Sequence, residues 1–130
     1  PNFLAMQLRA KRAELPTYVD GIRTAEKAYH AEWDVFTSVG PCPPYEVPLG
    51  REPIVWDSSW DCYTSFSSLG WLPEGPTYGR YQATASPGSQ LSSDDFQVSG
   101  EADLDGDYEP ARYEANRAEK ARMVSPNNAY

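Results

Sequence analysis

From Leu15 onward the apolar positions are Leu15, Tyr18, Val19, Ile22, Ala25, Tyr29, Trp33 and Phe36. Apart from the adjacent pair Tyr18–Val19 they recur at steps of three and four, which draws one stripe along a helix. Asp20, Arg23, Glu26, Lys27 and Glu32 fall on the polar side. Upstream, Phe3, Leu4, Met6, Leu8, Ala10 and Ala13 continue a looser pattern, with the basic cluster Arg9, Lys11 and Arg12 among them. The pattern predicts helix over residues 2–36. Pro16 interrupts it, because a mid-helix proline removes a hydrogen bond and costs roughly 3 kcal/mol. Thr17 with Asp20 three residues on resembles a capping box from which a helix could restart, so a kink and a break are both open. A nearly continuous helix of this span would be about 50 Å long. That exceeds a compact domain of this size, so one end should project. Gly40-Pro41 is expected to end the helix.

Residues 41–77 follow a different rule. They hold Pro41, Pro43, Pro44, Pro48, Pro53, Pro73 and Pro76, and every tryptophan except Trp33. This predicts a long ordered loop with a short turn of helix around Asp57–Leu69; a loop of this length inside a domain is usually functional. Period-two alternation then returns. Tyr78–Ser86 predicts a strand, Pro87-Gly88-Ser89 a turn and Asp95–Gly100 a second strand. Asp105-Gly106 is a turn signal, and Tyr108–Asn116 a weakly patterned third strand whose Pro110 suggests a sheet edge. Residues 117–122 are charged and suit a short helix or a loop, and Met123-Val124 could pair once more. The expected fold class is therefore α+β: a long N-terminal helix packed on a small antiparallel sheet. One domain is expected, with a helical spine over 1–36, a Pro/aromatic-rich loop over 37–77, and the sheet and tail over 78–130.

Composition refines this picture. At 130 residues the chain suits a single domain. The net charge is −8, and all of it falls in residues 41–130, since residues 1–40 carry five basic and five acidic side chains. An acidic head repels phosphate backbones, so nucleic acid is not an expected partner. Two cysteines, Cys42 and Cys62, flank the Pro-rich loop, with one histidine and no CxxC, which argues against structural zinc. They read as a disulfide, implying an oxidising compartment, or else as two free thiols. No run of 18 apolar residues is present to span a membrane, and no signal-peptide pattern. With Pro1 first and no initiator Met, a processed or trimmed product is expected, its targeting signal upstream.

Asp103-Leu104-Asp105-Gly106-Asp107 sets Asp103, Asp105 and Asp107 at alternating positions around a glycine, which suits Ca²⁺ or simply a solvated hairpin turn. A twelve-residue calcium loop starting at Asp103 would end at Glu114, but Pro110 and the strand-like sequence oppose the helix such a loop needs. Trp56, Trp60, Tyr63, Trp71, Tyr78 and Tyr81 could stack on a sugar or pack the loop onto the sheet. His30 beside Tyr29 has no partner motif, and no G-x-S-x-G, P-loop, G-x-G-x-x-G or HExxH occurs. No enzymatic role and no cofactor beyond the candidate Ca²⁺ is expected.

The opening PNFLAMQLRAKRAE (residues 1–14) resembles the segment that follows the hydrophobic half of the first helix in type IV pilins. Ile22-Arg23-Thr24-Ala25-Glu26-Lys27-Ala28-Tyr29 resembles the C-terminal half of that helix. Leu69-Gly70-Trp71-Leu72-Pro73-Glu74-Gly75 followed by Tyr81-Gln82-Ala83 resembles the start of the pilin sheet. Phe96–Asp107 is similar to a strand and acidic turn of deltaproteobacterial and myxobacterial pilins, and Ser125-Pro126-Asn127-Asn128-Ala129-Tyr130 fits the tail of the same group. The cysteines sit in the helix-to-sheet loop, whereas well-known two-cysteine pilins carry theirs around the C-terminal loop.

The resemblance implies assembly rather than catalysis: a homo-oligomeric helical filament, a pilus assembly machinery of the inner membrane as partner, and an apolar anchoring half-helix upstream. The precursor would sit in the inner membrane with its head in the periplasm, and the assembled filament outside the cell. Phe3, Leu4 and Leu8 would bridge filament core and head. Leu15, Ile22, Tyr29 and Trp33 would lie on the stripe that faces the subunit's own sheet. The acidic head would meet solvent and a surface glycan or cell target. The alternatives are a pseudopilin of a type II secretion system, with the same fold, and a secreted carbohydrate-binding module using the Trp/Tyr cluster.

Overall fold

The computed structural model describes residues 2–91 and 93–130, so Pro1 of the opening motif lies outside the described residues. The spine is two helices, α1 (Asn2–Arg12) and α2 (Glu14–Trp33). Between them Ala13 keeps right-handed helical angles (φ −61°, ψ −17°), and its N–H still bonds Arg9 O at 3.0 Å. Pro16 therefore causes a one-residue interruption. It is the third residue of α2, and the missing N–H is the one that would have reached back to Arg12. The capping box does not form. Thr17 Oγ1 donates back to Ala13 O, and Asp20 Oδ1 accepts the Ala121 N–H at 2.7 Å.

The helix ends at Trp33, before Gly40-Pro41. Asp34 takes a left-handed conformation (φ 60°) and its N–H bonds His30 O at 2.8 Å, which satisfies a terminal carbonyl. Two stripe positions are affected. Trp33, on the last turn, is 60% exposed and does not face the sheet. Phe36 leaves the helix yet is buried, with its ring 4.6 Å from Phe96 and stacked on His30 at 4.4 Å.

The sheet is a five-stranded antiparallel meander in the order β1 (Val39–Cys42), β2 (Arg80–Ser86), β3 (Asp95–Ala102), β4 (Ala111–Asn116) and β5 (Arg122–Met123). The expected α+β arrangement thus forms, with three strands close to their expected bounds. β1 was not foreseen, because Val39-Gly40-Pro41-Cys42 carries punctuation rather than alternation. β4 is not an edge. Pro110 precedes it, and it pairs with both β3 and β5. In the long loop, α3 (Asp61–Leu69) supplies the foreseen helical turn and closes on Gly70 at φ 96°.

One face of the sheet is buried beneath α2. Tyr81 and Ala83 of β2, Phe96, Val98, Gly100 and Ala102 of β3, and Ala111 and Ala115 of β4 alternate inward. They meet Leu15, Val19, Ile22 and Glu26 at helical spacing on α2. Small residues under the helix allow a close approach: a Cβ built on Gly100 would lie 2.9 Å from Val19 Cγ2 and 2.8 Å from Tyr81 Cε1. Gly100→Ala is therefore expected to cost about 1–3 kcal/mol in urea-unfolding stability; an unchanged midpoint would mean that the helix can lift off the sheet freely.

Candidate functional site

The αβ loop is fastened at several points. Cys42 and Cys62 form the expected disulfide, with Cα atoms 5.6 Å apart. Ile54 and Thr77 pair as an antiparallel bridge, and buried Trp56 donates from Nε1 to Thr77 Oγ1 at 2.9 Å. The rings of Trp56, Phe66, Trp71, Tyr18 and Tyr81 form a continuous cluster, each with a neighbouring centroid at 5.3–6.1 Å. Trp56 and Tyr81 are buried within it. The rings that could have made a sugar platform are therefore mostly spent on packing the loop to the sheet. Tyr78 is half-buried beneath Lys11 Nζ at 5.3 Å, and Tyr63 is half-buried on α3.

Glu14, in the first turn of α2, accepts the Tyr78 and Gly79 N–H groups at 3.0 Å each and the Tyr81 hydroxyl. Burial pushes the Tyr81 phenol well above its ordinary range, with the Glu14 charge adding to the shift. This carboxylate holds the start of β2 against the helix, a role invisible in its sequence context.

Glu26, expected on the solvent face, is fully buried. Its Oε1 accepts the Thr37 N–H at 2.9 Å, while Oε2 has no partner among the described residues. Burial raises its pKa to about 7, opposed by the Thr37 hydrogen bond. Two further polar residues of α2 are also docked, while Lys27 and Glu32 stay exposed. Arg23 donates to Asn116 O (2.8 Å) and Arg117 O (3.0 Å) where β4 ends. His30 Nε2 lies 3.8 Å from Asp94 Oδ2 and stacks on Phe36, a structural placement.

The acidic turn is knitted to its own backbone. Asp103 is buried, its Oδ1 accepting the Asp107 N–H and its Oδ2 the Tyr108 N–H, both at 3.1 Å. Asp107 Oδ1 accepts the Glu109 N–H at 2.9 Å. Gly106 (φ 71°) and Tyr108 (φ 63°) take the left-handed angles this requires. Burial raises the Asp105 pKa, and the Glu109 N–H lowers that of Asp107. Carboxylate oxygens of Asp103, Asp105 and Asp107 do lie within 4.8 Å of one another. Glu114, however, sits in β4, where Arg112 Nε at 2.9 Å and Gln97 Nε2 at 3.0 Å engage it, so no calcium loop closes there.

Two surfaces remain open. The first is α1, whose Phe3 (72%), Leu4 (60%) and Met6 (64%) are exposed. Its C-terminal half is held by the chain's tail. Arg12 is buried, donates to Asn127 O (2.7 Å) and Ala129 O (2.8 Å), and lies 4.7 Å from the Tyr130 ring centroid, while Arg9 Nε reaches the Tyr130 hydroxyl at 3.1 Å. Leu8 is half-buried and borders a small hollow with Leu4, Lys11, Arg51, Leu104 and Asp105. The second surface is a groove of about 560 Å³ beside the disulfide, lined by Tyr45, Glu46, Trp60 and Asp61 among others. Of the stripe residues, Leu15 and Ile22 are buried under the sheet and Tyr29 packs on its margin.

No helix among the described residues is long and apolar enough to cross a membrane. Comparison with protein-family models, curated proteins and solved structures returned no match. The fold and surfaces define a disulfide-closed α+β head on a helical spine.

The buried Glu26 carboxyl makes stability depend on pH. The folded protein keeps its proton up to about pH 7, whereas the unfolded chain releases it near the ordinary glutamate value of 4.5. Between those values the folded state binds more protons, so this contribution is fully present below about pH 4.5 and is lost as pH rises through 7. Denaturant titrations should show a decline on the order of 1–3 kcal/mol across that window, and the decline should be absent in Glu26→Gln. Reducing Cys42–Cys62, which closes a separation of 20 residues, should cost about 3 kcal/mol by urea unfolding with and without dithiothreitol.

Proposed function

We propose that this chain is the head and lower spine of a type IV pilin-like subunit, which assembles through its N-terminal helix into an extracellular filament. The observation that carries the reading is α1: an 11-residue helix with three large apolar side chains in solvent at one end and a clasp to the globular body at the other. Exposed apolar side chains grouped on one projecting element are costly in water and suit burial against further copies. The helix carries Arg9, Lys11 and Arg12 and no acidic residue, while the net −8 of the molecule lies in residues 41–130. The α1 helix and the head are thus electrostatically complementary, and a head-to-tail contact between copies that does not close on itself generates a filament.

In this reading the precursor is held in a bacterial inner membrane by an apolar segment preceding α1, and the inner-membrane assembly machinery extracts it. The disulfide fits folding in the oxidising periplasm. The function is structural, in adhesion, motility or DNA uptake, without catalysis.

Immunogold electron microscopy on the producing cells, with an antibody against this chain, should decorate surface filaments. Leu4→Asp with Met6→Asp should abolish them while changing the stability of the purified head by no more than about 0.5 kcal/mol, because both side chains are already exposed. Label confined to the cell interior, or filaments unaffected by the two charges, would refute assembly through α1.

A further inference from the structure

The groove beside the disulfide has a composition that selects a ligand. Its lining comes chiefly from two segments, Pro44, Tyr45 and Glu46 on one, and Ser59, Trp60, Asp61 and Ser65 around the start of α3 on the other. The walls are held in place. Arg80 reaches out from β2 and donates to Pro43 O at 2.8 Å, Pro44 O at 3.1 Å and Val47 O, fixing the segment that carries Tyr45 and Glu46. The disulfide and the first turn of α3 fix the other wall. A preformed concavity that sets charged groups beside aromatic side chains is a common form of recognition site.

The charge is one-sided. Glu46 and Asp61 are exposed, and their carboxylates make no hydrogen bond or ion pair among the described residues. No lysine or arginine is among the described residues that line the groove, and Arg80 commits three of its five N–H donors to the three carbonyls. The serine hydroxyl protons are also committed, Ser59 to Asp57 Oδ1 at 2.7 Å and Ser65 to Asp61 O at 3.2 Å. What remains is two negative charges and two aromatic side chains, each with one polar tip. Tyr45 already shows what its ring can hold: the Arg80 guanidinium lies 5.1 Å from its centroid, while the residue stays 68% exposed.

We propose that this groove binds a cationic side chain, lysine or arginine, on a basic segment of another protein. Glu46 and Asp61 supply the charge, and Tyr45 and Trp60 the aromatic faces. Donor-rich cations match the two uncompensated carboxylates, and aromatic rings attract them through the ring quadrupole. A neutral sugar could also stack on the rings and donate hydroxyls to the two carboxylates, but it would leave their charge uncompensated. The groove is formed within one chain, so the inference stands whether or not the chain builds filaments.

The test is a titration of the intact, oxidised protein with an N-acetylated, C-amidated tetra-arginine peptide. It is followed through the Trp60 indole N–H resonance, assigned by its disappearance in Trp60→Phe. We expect saturable shifts and an affinity that falls with added salt. Trp60→Ala should weaken binding about fivefold, and Glu46→Gln and Asp61→Asn about threefold each. Glu32→Gln, an equal loss of charge on an exposed residue of α2, should leave binding unchanged, and the carboxylate variants remain informative if Trp60→Ala folds poorly. Three results would overturn the proposal. One is no shift of the Trp60 signal. Another is equal weakening by Glu32→Gln, which would mean only general attraction to an acidic protein. The third is Trp60-dependent binding of cellotriose together with peptide binding indifferent to Glu46 and Asp61, which would assign the groove to neutral glycans.

Discussion

Val19 Cγ2 lies 2.9 Å from the point where a side chain on Gly100 would begin, and Leu15 Cδ2 lies 2.6 Å from the same point on Gly79. This close seating of α2 on the sheet is the constraint on which the rest of the structure depends. The helix can come so near only because Gly100, Ala102, Ala111 and Ala115 give the sheet a shallow surface beneath it. That closeness buries Glu26 and brings Glu14 within reach of the start of β2. It also sets Arg23 against the end of β4. A bulkier sheet would have left Glu26 and Arg23 as the solvent-facing charges that their spacing suggests, and Glu14 short of β2.

The αβ loop is the second consequence. With its inner face under α2, the sheet has no room for a second core, so the loop's aromatic residues gather beside the helix around Trp71, in contact with Tyr18 and Tyr81. Few of those rings are left for outside partners. The exceptions are Tyr45, on the segment that Arg80 fastens to β2, and the half-buried Trp60 at the start of α3. Packing and recognition thus draw on one pool of aromatic residues, divided by their distance from α2.

Periodicity made much of this legible. The 3.6-residue stripe located α2 and its buried Leu15, Val19 and Ile22, and the period-two segments located β2, β3 and β4 within a few residues. The cysteines flanking the loop pointed to their bond. What stayed hidden depended on tertiary contact. A four-residue strand of Val, Gly, Pro and Cys has no alternation to read, and β1 exists because β2 offers it a partner. Asp34 ends α2 in a left-handed conformation that aspartate adopts only occasionally. Glu26 reads as polar because nothing local announces the Thr37 N–H that meets it. For the open groove, Trp60 was visible as an aromatic, but Tyr45, Glu46 and Asp61 could not be joined to it without the path of the loop.

The meander has one further consequence, for the order in which it can assemble. β2, β3 and β4 are joined by the short connections 87–94 and 103–110, whereas β1 reaches β2 only across residues 43–79. That connection is roughly four to five times longer, and closing it costs about 1.4 kcal/mol more in chain entropy. The three central strands can thus find one another from local encounters, with α2 condensing onto their shallow face. β1 and α3 then arrive as the slow, non-local step. The recognition groove, formed by β1, its loop and α3, would be the last part of the molecule to take shape.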